Sequence, residues 1–310
     1  MLTRRRITAL LCLAVLLFVP RTFGVEPQRI TLTTSDEQTI FANYYPGKVN
    51  DGGVPAVILL HMYRGDRTEY EPLIEPLHRA GFAIVALDLR GHGRSATRTT
   101  LSQVENGDVE LFKSMRLDVR AAYDWLAQQP KIDRSRLALV GAGVGADVAL
   151  LYATEDRSVD ALVLLSPGTD DVGLDSAAAL QRVRGRQILM LAADDPKEKT
   201  IMKALRKCAP QAQTDVVKGD FHGTHMFGQI PGIEKRIAEY LKKNIGPPTA
   251  APVYGSILSD VFHLPGSDWI KEIKPWNLRV YSSAQEAESR GLRRAKNRGP
   301  DNRGSSRKRP

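Results

Sequence analysis

The sequence predicts an α/β fold: a mostly parallel sheet of about eight strands with helices on both faces. Short, wholly apolar runs recur along the chain, as in strands that helices cover on both sides. Helical patterns separate these runs, and regular alternation of strand and helix with right-handed crossovers produces a parallel sheet. The apolar runs are residues 56–60, 83–87, 137–140, 161–165 and 188–191.

The predicted elements begin with a hairpin and end with an amphipathic helix. Alternating polar and apolar residues over 30–46 are typical of two antiparallel strands. A weaker last strand is predicted over 214–218 and a closing amphipathic helix over 233–244. No insertion long enough for a lid domain follows the strand over 161–165. The other predicted helices are 70–80, 111–129, 146–155, 174–183 and 197–208.

Composition predicts how the rest of the chain is divided. A Pro-rich stretch at 247–252 is typical of a linker, and it separates a globular part, 25–246, from a short segment, 253–299. Residues 300–310 have no apolar period and are strongly basic, so we expect a disordered tail there.

The N-terminus has the layout of a secretory signal peptide. Three arginines precede an apolar run over 7–19, which is shorter than the roughly 20 residues that span a bilayer. The small residue Gly24 follows. We therefore expect 1–24 to be a signal peptide and the protein to be exported, to the periplasm or the cell exterior; an uncleaved anchor is the alternative. Cys12 would leave with this segment and Cys208 would be alone, so no internal disulfide is expected.

The net charge of +9 is concentrated at the two ends of the chain. Residues 1–24 carry four arginines and no acid, and residues 282–310 carry nine basic residues against three acidic ones. The remaining part, 25–281, has a net charge of −1. This distribution argues against a fold that itself binds nucleic acid. The basic tail could attract an anionic surface.

A glycine-rich turn, VGAGVGADVAL over 140–150, has two interpretations. Gly141, Gly143 and Ala146 satisfy the G-x-G-x-x-G/A pattern of a dinucleotide-binding turn. That pattern also requires an acidic residue at the end of the next strand, whereas Asp160 precedes the next strand. The second interpretation is a nucleophile elbow, G-x-S-x-G, whose central position is glycine in this chain.

Three further motifs accompany the elbow register of 141–145. LLHMYRGDRTEY (59–70) follows the third predicted strand, LDLRGHGRS (87–95) contains an Asp-x-Arg-Gly-His-Gly-x-Ser turn, and DVRAAYDWL (118–126) precedes the elbow strand. Together they resemble the α/β-hydrolase superfamily over about 30–245, in particular secreted bacterial esterases and dienelactone hydrolases. The resemblance implies the α/β-hydrolase fold, with a Ser-His-acid site beyond the carboxyl ends of the strands.

The resemblance also implies which residues complete that site. LAADDP ends the next-to-last strand, where the family places its acid, so Asp195 is the expected acid and Asp194 the alternate. His222, in DFHGTH after the last strand, is the expected catalytic histidine, with His225 as the runner-up. The alternatives are purely structural roles: the two aspartates could cap the helix beginning near Pro196, and His222 could be a hydrogen-bonded loop residue.

Two backbone N–H groups would form the oxyanion hole that the resemblance implies. One would come from Met62 or Tyr63, in the loop after the third strand. The other would come from Val144, at the start of the helix after the elbow. His92, in the LDLRGHGRS turn, is expected to be a turn residue and not a catalyst.

The elbow has no nucleophile, because glycine at position 143 carries no side chain and acyl-enzyme formation needs a hydroxyl. Ser95 and Ser166 lie at predicted strand ends but not on the elbow. We therefore expect a catalytically inactive pseudohydrolase with a binding or scaffolding role, whose pocket takes an unidentified small molecule or protein. The alternative is an active ester or amide hydrolase in which His222 activates water directly.

The segment 253–299 resembles a small module related to the metal-binding domain of the Ada DNA-repair protein. FHLPGS, IKPWNL and SSAQEAESRG match, but Ser267, Ala295 and Arg298 occupy the cysteine positions and only His263 remains as a ligand. A tetrahedral zinc site needs about four N or S ligands, so we expect no metal in this module. The expected export and the absent thiolates both argue against a role in DNA repair. No cofactor is expected. The module would then depend on a small apolar core: Phe262, Trp269, Ile273 and Val280.

Overall fold

The computed structural model describes residues 25–48, 53–183, 185–246, 252–281 and 283–295. The predicted signal peptide, nearly all of the predicted linker and the basic tail lie outside the described residues, as does Arg298. The strands are β1 (Gln28–Thr33), β2 (Thr39–Tyr45), β3 (Val54–Leu60), β4 (Ala83–Leu87), β5 (Ile132–Ala142), β6 (Val159–Leu165), β7 (Asp170–Asp171), β8 (Leu174–Asp175), β9 (Gln187–Ala193), β10 (Gln213–Val217), β11 (Val253–Ser256), β12 (Val261–His263), β13 (Leu278–Tyr281) and β14 (Arg293–Arg294). The helices are α1 (Glu71–Arg79), α2 (Arg98–Glu105), α3 (Val109–Ser114), α4 (Arg116–Leu126), α5 (Val144–Glu155), α6 (Ser176–Arg182), α7 (Pro196–Cys208), α8 (Ile233–Ile245), α9 (Trp269–Glu272) and α10 (Ala284–Ser289).

The main sheet has eight strands within the described residues, in the order β1-β2-β4-β3-β5-β6-β9-β10. β1 pairs antiparallel with β2, and β2 with β4; all other neighbours in this sheet pair parallel. An antiparallel hairpin at one edge of a parallel sheet is the arrangement that the sequence predicted. The predicted fold class is therefore confirmed.

The core lies in two layers, one on each face of this sheet. Every residue of β3 is buried, and alternate side chains enter opposite layers because successive residues of a strand point to opposite faces. Ile58 and Leu60 belong to one layer, and Val57 and Leu59 to the other. This explains why the central strands are wholly apolar in sequence.

Two helical regions differ from the predicted ones. The helix predicted over 111–129 is divided into α3 and α4, which meet at Met115. The Ser114 hydroxyl donates to the carbonyl of Leu111 at 2.7 Å, a local bond that competes with helix continuation. Helix α2 was not predicted, and a reciprocal capping box between Thr97 and Thr100 starts it.

The C-terminal module is a four-stranded sheet, β13-β11-β12-β14, with a small core of its own. That core is centred on Val253, Phe262, Tyr281 and Ala287. Of the expected core residues, only Phe262 belongs to this core. Trp269 is 44% exposed, and Ile273 and Val280 are half-buried outside the core, so the expectation was wrong for these three. Trp269 starts α9, a single turn with no buried residue, whereas the core residues come from the strands and α10.

The module contacts the hydrolase-like sheet at the end opposite the carboxyl edge. Val280 N–H donates to the Ser135 hydroxyl at 2.9 Å, and the Arg279 guanidinium donates to the carbonyls of Ser135, at 3.1 Å, and Arg157. Arg290 donates to the Asn244 carbonyl at the end of α8. These bonds connect the module to β5 and α8.

Within the described residues, no helix is long and apolar enough to cross a membrane. The same residues contain no group of three or more His, Cys, Asp or Glu side chains that could hold a metal ion.

Candidate active site

The glycine-rich turn joins β5 to α5 at the centre of the sheet. Gly143 has φ 50° and ψ −122°, a conformation that residues with a Cβ rarely adopt, and α5 begins at the next residue, Val144. The Gly143 N–H donates to the carbonyl of Leu165 at 2.9 Å, which ties the turn to the end of β6. The chain therefore makes a sharp strand-to-helix turn of the kind that an elbow requires.

The three glycines of this turn have different surroundings. A Cβ at Gly145 would overlap the carbonyl of Leu60 and lie 2.5 Å from the His61 oxygen. A Cβ at Gly141 would lie 2.5 Å from the carbonyl carbon of Gly145. At Gly143 the nearest atom to such a Cβ is His222 Nε2, at 3.5 Å, an ordinary contact. Close packing thus requires the outer glycines, whereas the central position has room for a side chain that faces His222.

His222 lies in the loop after β10, immediately before a short 3-10 helix over Gly223–Met226. Its Nδ1 is 2.7 Å from Glu198 Oε1, and its side chain is 56% exposed. A carboxylate at Nδ1 orients the ring and directs the other nitrogen, Nε2, toward the space above Gly143. The geometry therefore pairs a base with an orienting acid beside the elbow.

Glu198 occupies the first turn of α7, and three groups hold its carboxylate. Besides His222, the Ala193 N–H donates to Oε2 at 2.6 Å and the Ser166 hydroxyl donates to it at 2.8 Å. Burial would raise the pKa of Glu198, but the hydrogen bonds from His222, Ala193 and Ser166 outweigh it and hold this pKa below its ordinary value of 4.5. Glu198 is therefore ionised at neutral pH.

The expected acid, Asp195, has another role in the structure. Its carboxylate accepts from the N–H groups of Lys197, at 2.8 Å, and Glu198, at 3.0 Å, so it caps α7. Asp194 forms an ion pair with Lys199. The structure thus corrects the expected partner of the histidine: the carboxylate at His222 is Glu198, because Asp195 is held at the helix start while the third helical residue points back to the strand ends.

Ser166 and Ser95 hold parts of the fold together. The Ser166 hydroxyl donates to Glu198 and accepts from the Gly223 N–H at 3.0 Å, which links the acid to the histidine loop. The Ser95 hydroxyl accepts from the Phe41 N–H at 2.9 Å. Neither hydroxyl lies on the elbow.

The loop after β3 carries the first expected oxyanion donor. Met62 N–H donates to Glu69 Oε2 at 3.1 Å, and the Thr224 hydroxyl donates to the same oxygen at 3.0 Å. Because a carboxylate already accepts from Met62, Tyr63 is the better candidate of the two. The second expected donor, Val144, is the first residue of α5, where N–H groups have no partner within the helix.

A buried histidine positions this loop. Burial, followed by repulsion from His92, lowers the pKa of His61 to about 3, so its imidazole is neutral at pH 7. Nδ1 then donates to the Met62 carbonyl at 2.7 Å, and Nε2 accepts from the Leu89 N–H at 3.0 Å. His61 therefore fixes the backbone that precedes Tyr63.

The remaining expected residues have structural surroundings. His92 is 4% exposed, and its Nδ1 lies 3.1 Å from the carbonyl of Arg90 inside the LDLRGHGRS turn. Arg90 donates to the buried carboxylate of Asp118 at 2.9 Å, which joins this turn to α4. His225 is exposed on the 3-10 helix after His222.

Sequence reasoning missed two carboxylates, Glu198 and Glu69. A signal for Glu198 exists in DDPKE, where an aspartate cap followed three residues later by Glu predicts a first-turn carboxylate. For Glu69 there is no local signal. It meets Thr224, 155 residues further on, only because the β3 loop and the histidine loop converge above the sheet.

Fold and geometry together define an α/β-hydrolase site. The family model described as serine aminopeptidase, S33, matches residues 54–216, and the chain belongs to this family. The matched region includes the elbow and Glu198 and ends before His222.

Curated relatives match part of the chain. An uncharacterized protein of Mycobacterium tuberculosis (strain ATCC 25618 / H37Rv) is 33% identical over 153 residues, 49% of this chain and 50% of that protein. Protein bem46 of Schizosaccharomyces pombe is 24% identical over 147 residues, 47% of this chain and 46% of that protein. The chain spans about half the length of the curated relatives that it matches.

Solved structures share the fold at low sequence identity. The DcsB complex with its substrate analogue has a TM-score of 0.60 at 16% identity, covering 71% of this chain and 99% of that one. The Pyrococcus furiosus esterase Pf2001 has a TM-score of 0.58 at 20% identity, covering 79% and 98%. Dienelactone hydrolase from Anabaena variabilis has a TM-score of 0.53 at 18% identity, covering 71% and 97%.

Proposed function

We propose that this protein is an exported pseudohydrolase, in which glycine at 143 has replaced the nucleophilic serine and the pocket binds a ligand without covalent catalysis. The observation that carries the proposal is the room at Gly143: a Cβ there would meet His222 Nε2 at 3.5 Å, while the histidine–acid pair is assembled. A Ser-His-acid triad without the serine hydroxyl cannot form an acyl-enzyme.

Several residues have proposed roles in this emptied site. Glu198 orients His222, and Asp195 supports it indirectly by capping α7. Tyr63 and Val144 supply the backbone donors of the former oxyanion hole. The ligand is a small molecule or a protein segment that enters above the elbow, where His222 is exposed.

Labelling with a fluorophosphonate probe tests the proposal. Wild type is expected to remain unlabelled, and Gly143→Ser is expected to gain labelling and ester hydrolysis by about a hundredfold or more over wild type. A serine Oγ, one bond beyond a Cβ at 3.5 Å, comes within hydrogen-bond reach of His222 Nε2. Gly143→Ala is the matched control, since it introduces the same backbone strain without a hydroxyl.

Two outcomes would contradict parts of this proposal. Strong labelling of wild type that disappears in His222→Ala would show an active enzyme. Failure of a folded Gly143→Ser variant to gain activity would show that the oxyanion donors or the histidine–acid pair no longer work together.

The second candidate function is hydrolysis of an ester or amide by water that His222 activates directly. It is favoured by one observation: residue 143 places no side chain against His222, since even a Cβ built there would lie 3.5 Å from Nε2. This function predicts steady turnover by wild type that His222→Ala abolishes and that fluorophosphonate does not inhibit. Turnover without probe labelling therefore distinguishes it from the pseudohydrolase.

We also propose that the C-terminal module is a degenerate Ada-like domain that folds without metal. Its apolar core and its hydrogen bonds to β5 support this proposal. Stoichiometric zinc in the purified protein, by elemental analysis, would contradict it.

A further inference from the structure

The last strand of the main sheet, β10, has a free edge. It pairs with β9 on one side, and no strand in the described part of the chain pairs with its other side. The Val217 carbonyl accepts from the N–H of Asp194, just beyond β9, at 2.9 Å. Because the backbone groups of successive strand residues point to opposite sides, those of Thr214 and Val216 point away from β9. An edge of this kind is a template for another strand.

A groove of about 660 Å³ lies between this edge and helix α7. Thr214 and Val216 line its strand side. Val217 is buried in the core layer on the opposite face of the sheet, to which α8 contributes. Val216 is 39% exposed, although its side chain is apolar. The groove therefore combines outward backbone groups with an apolar side chain that is open to solvent.

Basic side chains of α7 form the other wall of the groove. Lys199, Lys203 and Arg206 follow one another at intervals of four and three residues, so they lie on one face of the helix. Met202, between them, is buried. Three exposed basic residues of this wall form no ion pair with any described residue, and we call them the α7 cations: Lys203, Arg206 and Lys207.

The acidic residues of this region already pair with other cations. Asp215 lines the groove, but its carboxylate pairs with Arg236 of α8. Asp194 pairs with Lys199. The α7 cations thus give the groove a surplus of positive charge, and the partner that complements this charge is acidic.

We propose that β10 accepts an added strand from an acidic, extended segment of another protein, whose carboxylates lie against the α7 cations. Such a segment can form hydrogen bonds with the outward N–H and C=O groups of Thr214 and Val216, and main-chain bonds of this kind supply the affinity in strand addition. Alternate side chains of the added strand would face α7, because alternate residues of a strand share a face. Acidic residues at every second position therefore fit the groove.

Two other occupants fit the edge less well. If two copies of this chain paired through β10, both sets of α7 cations would lie on the same face of the joined sheet and repel each other. A nucleic acid strand would attract the cations, but it has no regularly spaced amide N–H and C=O groups to match the backbone of Thr214 and Val216.

Fluorescence anisotropy with the purified full chain tests the proposal, using a labelled octapeptide in which glutamate alternates with threonine. Wild type is expected to bind this peptide and to bind its glutamine counterpart about tenfold more weakly. The triple variant Lys203→Gln, Arg206→Gln, Lys207→Gln is expected to lose about tenfold in affinity for the glutamate peptide. The matched control removes three positive charges from α8 and is expected to bind like wild type: Lys235→Gln, Lys242→Gln, Lys243→Gln.

Amide hydrogen exchange separates strand addition from charge attraction alone. The N–H groups of Thr214 and Val216 are expected to exchange about tenfold more slowly when the peptide is bound, because they then donate to it. Val216→Pro removes one of these outward donors, and edge strands tolerate proline at such positions. This variant is expected to bind the peptide about tenfold more weakly, with a melting temperature near that of wild type.

Four results would overturn the proposal. Wild type could fail to bind the glutamate peptide. The peptide could bind without slowing exchange at Thr214 and Val216, which would mean that the cations alone attract it. A labelled oligodeoxythymidine could bind more tightly than the peptide through the same α7 cations, which would assign the groove to nucleic acid. Light scattering could show a dimer that Val216→Pro converts into a monomer, which would mean that a second copy occupies the edge.

Discussion

We expect Gly145→Ala to destabilise the protein far more than Gly143→Ala, although the two glycines are two residues apart in the same turn. A Cβ at Gly145 would overlap the Leu60 carbonyl and lie 2.5 Å from the His61 carbonyl oxygen. Both groups belong to the backbone at the end of β3, which cannot move without disturbing the central sheet. Overpacking of this kind costs about 3 kcal/mol or more.

The corresponding cost at Gly143 comes from backbone strain alone. A Cβ there has no neighbour nearer than 3.5 Å, but φ is 50°. Strain of about 2 kcal/mol is partly offset by the lower entropy of the unfolded chain, leaving about 1 kcal/mol. For a domain of this size the melting temperature should fall by about 2–4 °C for Gly143→Ala and by about 6–12 °C for Gly145→Ala.

Thermal unfolding followed by circular dichroism measures both effects, with wild type as the reference. A Gly145→Ala variant too unstable to purify agrees with the expectation. Equal losses at the two positions would refute the reasoning, since both glycines would then be required by packing and the central position could not be a vacated nucleophile site.

Other contacts yield four further predictions. Glu198→Gln in the Gly143→Ser background should slow fluorophosphonate labelling about a hundredfold or more, since a neutral amide cannot stabilise the imidazolium; unchanged labelling kinetics would mean that another acid orients the histidine. Because the pKa of Glu198 is lowered, its contribution to stability should be complete above pH 4.5 and lost as the pH falls through its lower folded value, so urea melts of Glu198→Gln and wild type should converge in acid. Ser166→Ala should lower the melting temperature by about 2–4 °C, because two hydrogen bonds are lost. An unchanged melting temperature would show that these two bonds do not stabilise the folded protein. Arg279→Met should release the C-terminal module, because Arg279 donates to the carbonyls of Ser135 in β5 and Arg157 before β6 and lies 3.7 Å from Asp160. Limited proteolysis should then cut between the modules faster than in wild type, and an unchanged cleavage rate would argue against docking through this residue.

The conformation of the glycine turn connects these predictions to the function of the protein. G-x-G-x-G at 141–145 is a single pattern in sequence, yet the first and last glycines face backbone and the central one faces His222. Under the proposed function, the loss of the nucleophile is therefore a local change, which the single substitution Gly143→Ser is expected to reverse.

The fold and much of the site followed from the sequence. Wholly apolar strands and the order of the elements are local or periodic features, and they predicted the parallel sheet. The elbow register is a local pattern and predicted the turn at Gly143, while the resemblance to the α/β-hydrolase superfamily implied the position of His222 in the loop after the last strand.

The partners of individual side chains depended on distances across the folded chain. Asp195 was the expected acid because it ends a strand, but the first turn of α7 brings Glu198 to His222 and leaves Asp195 at the helix cap. Glu69 and Thr224 meet only where two loops converge, and Trp269 is exposed because α9 lies away from the core of the module. The reach of a side chain and the convergence of distant loops are set by the folded arrangement of the chain, and no periodic pattern in the sequence predicts them.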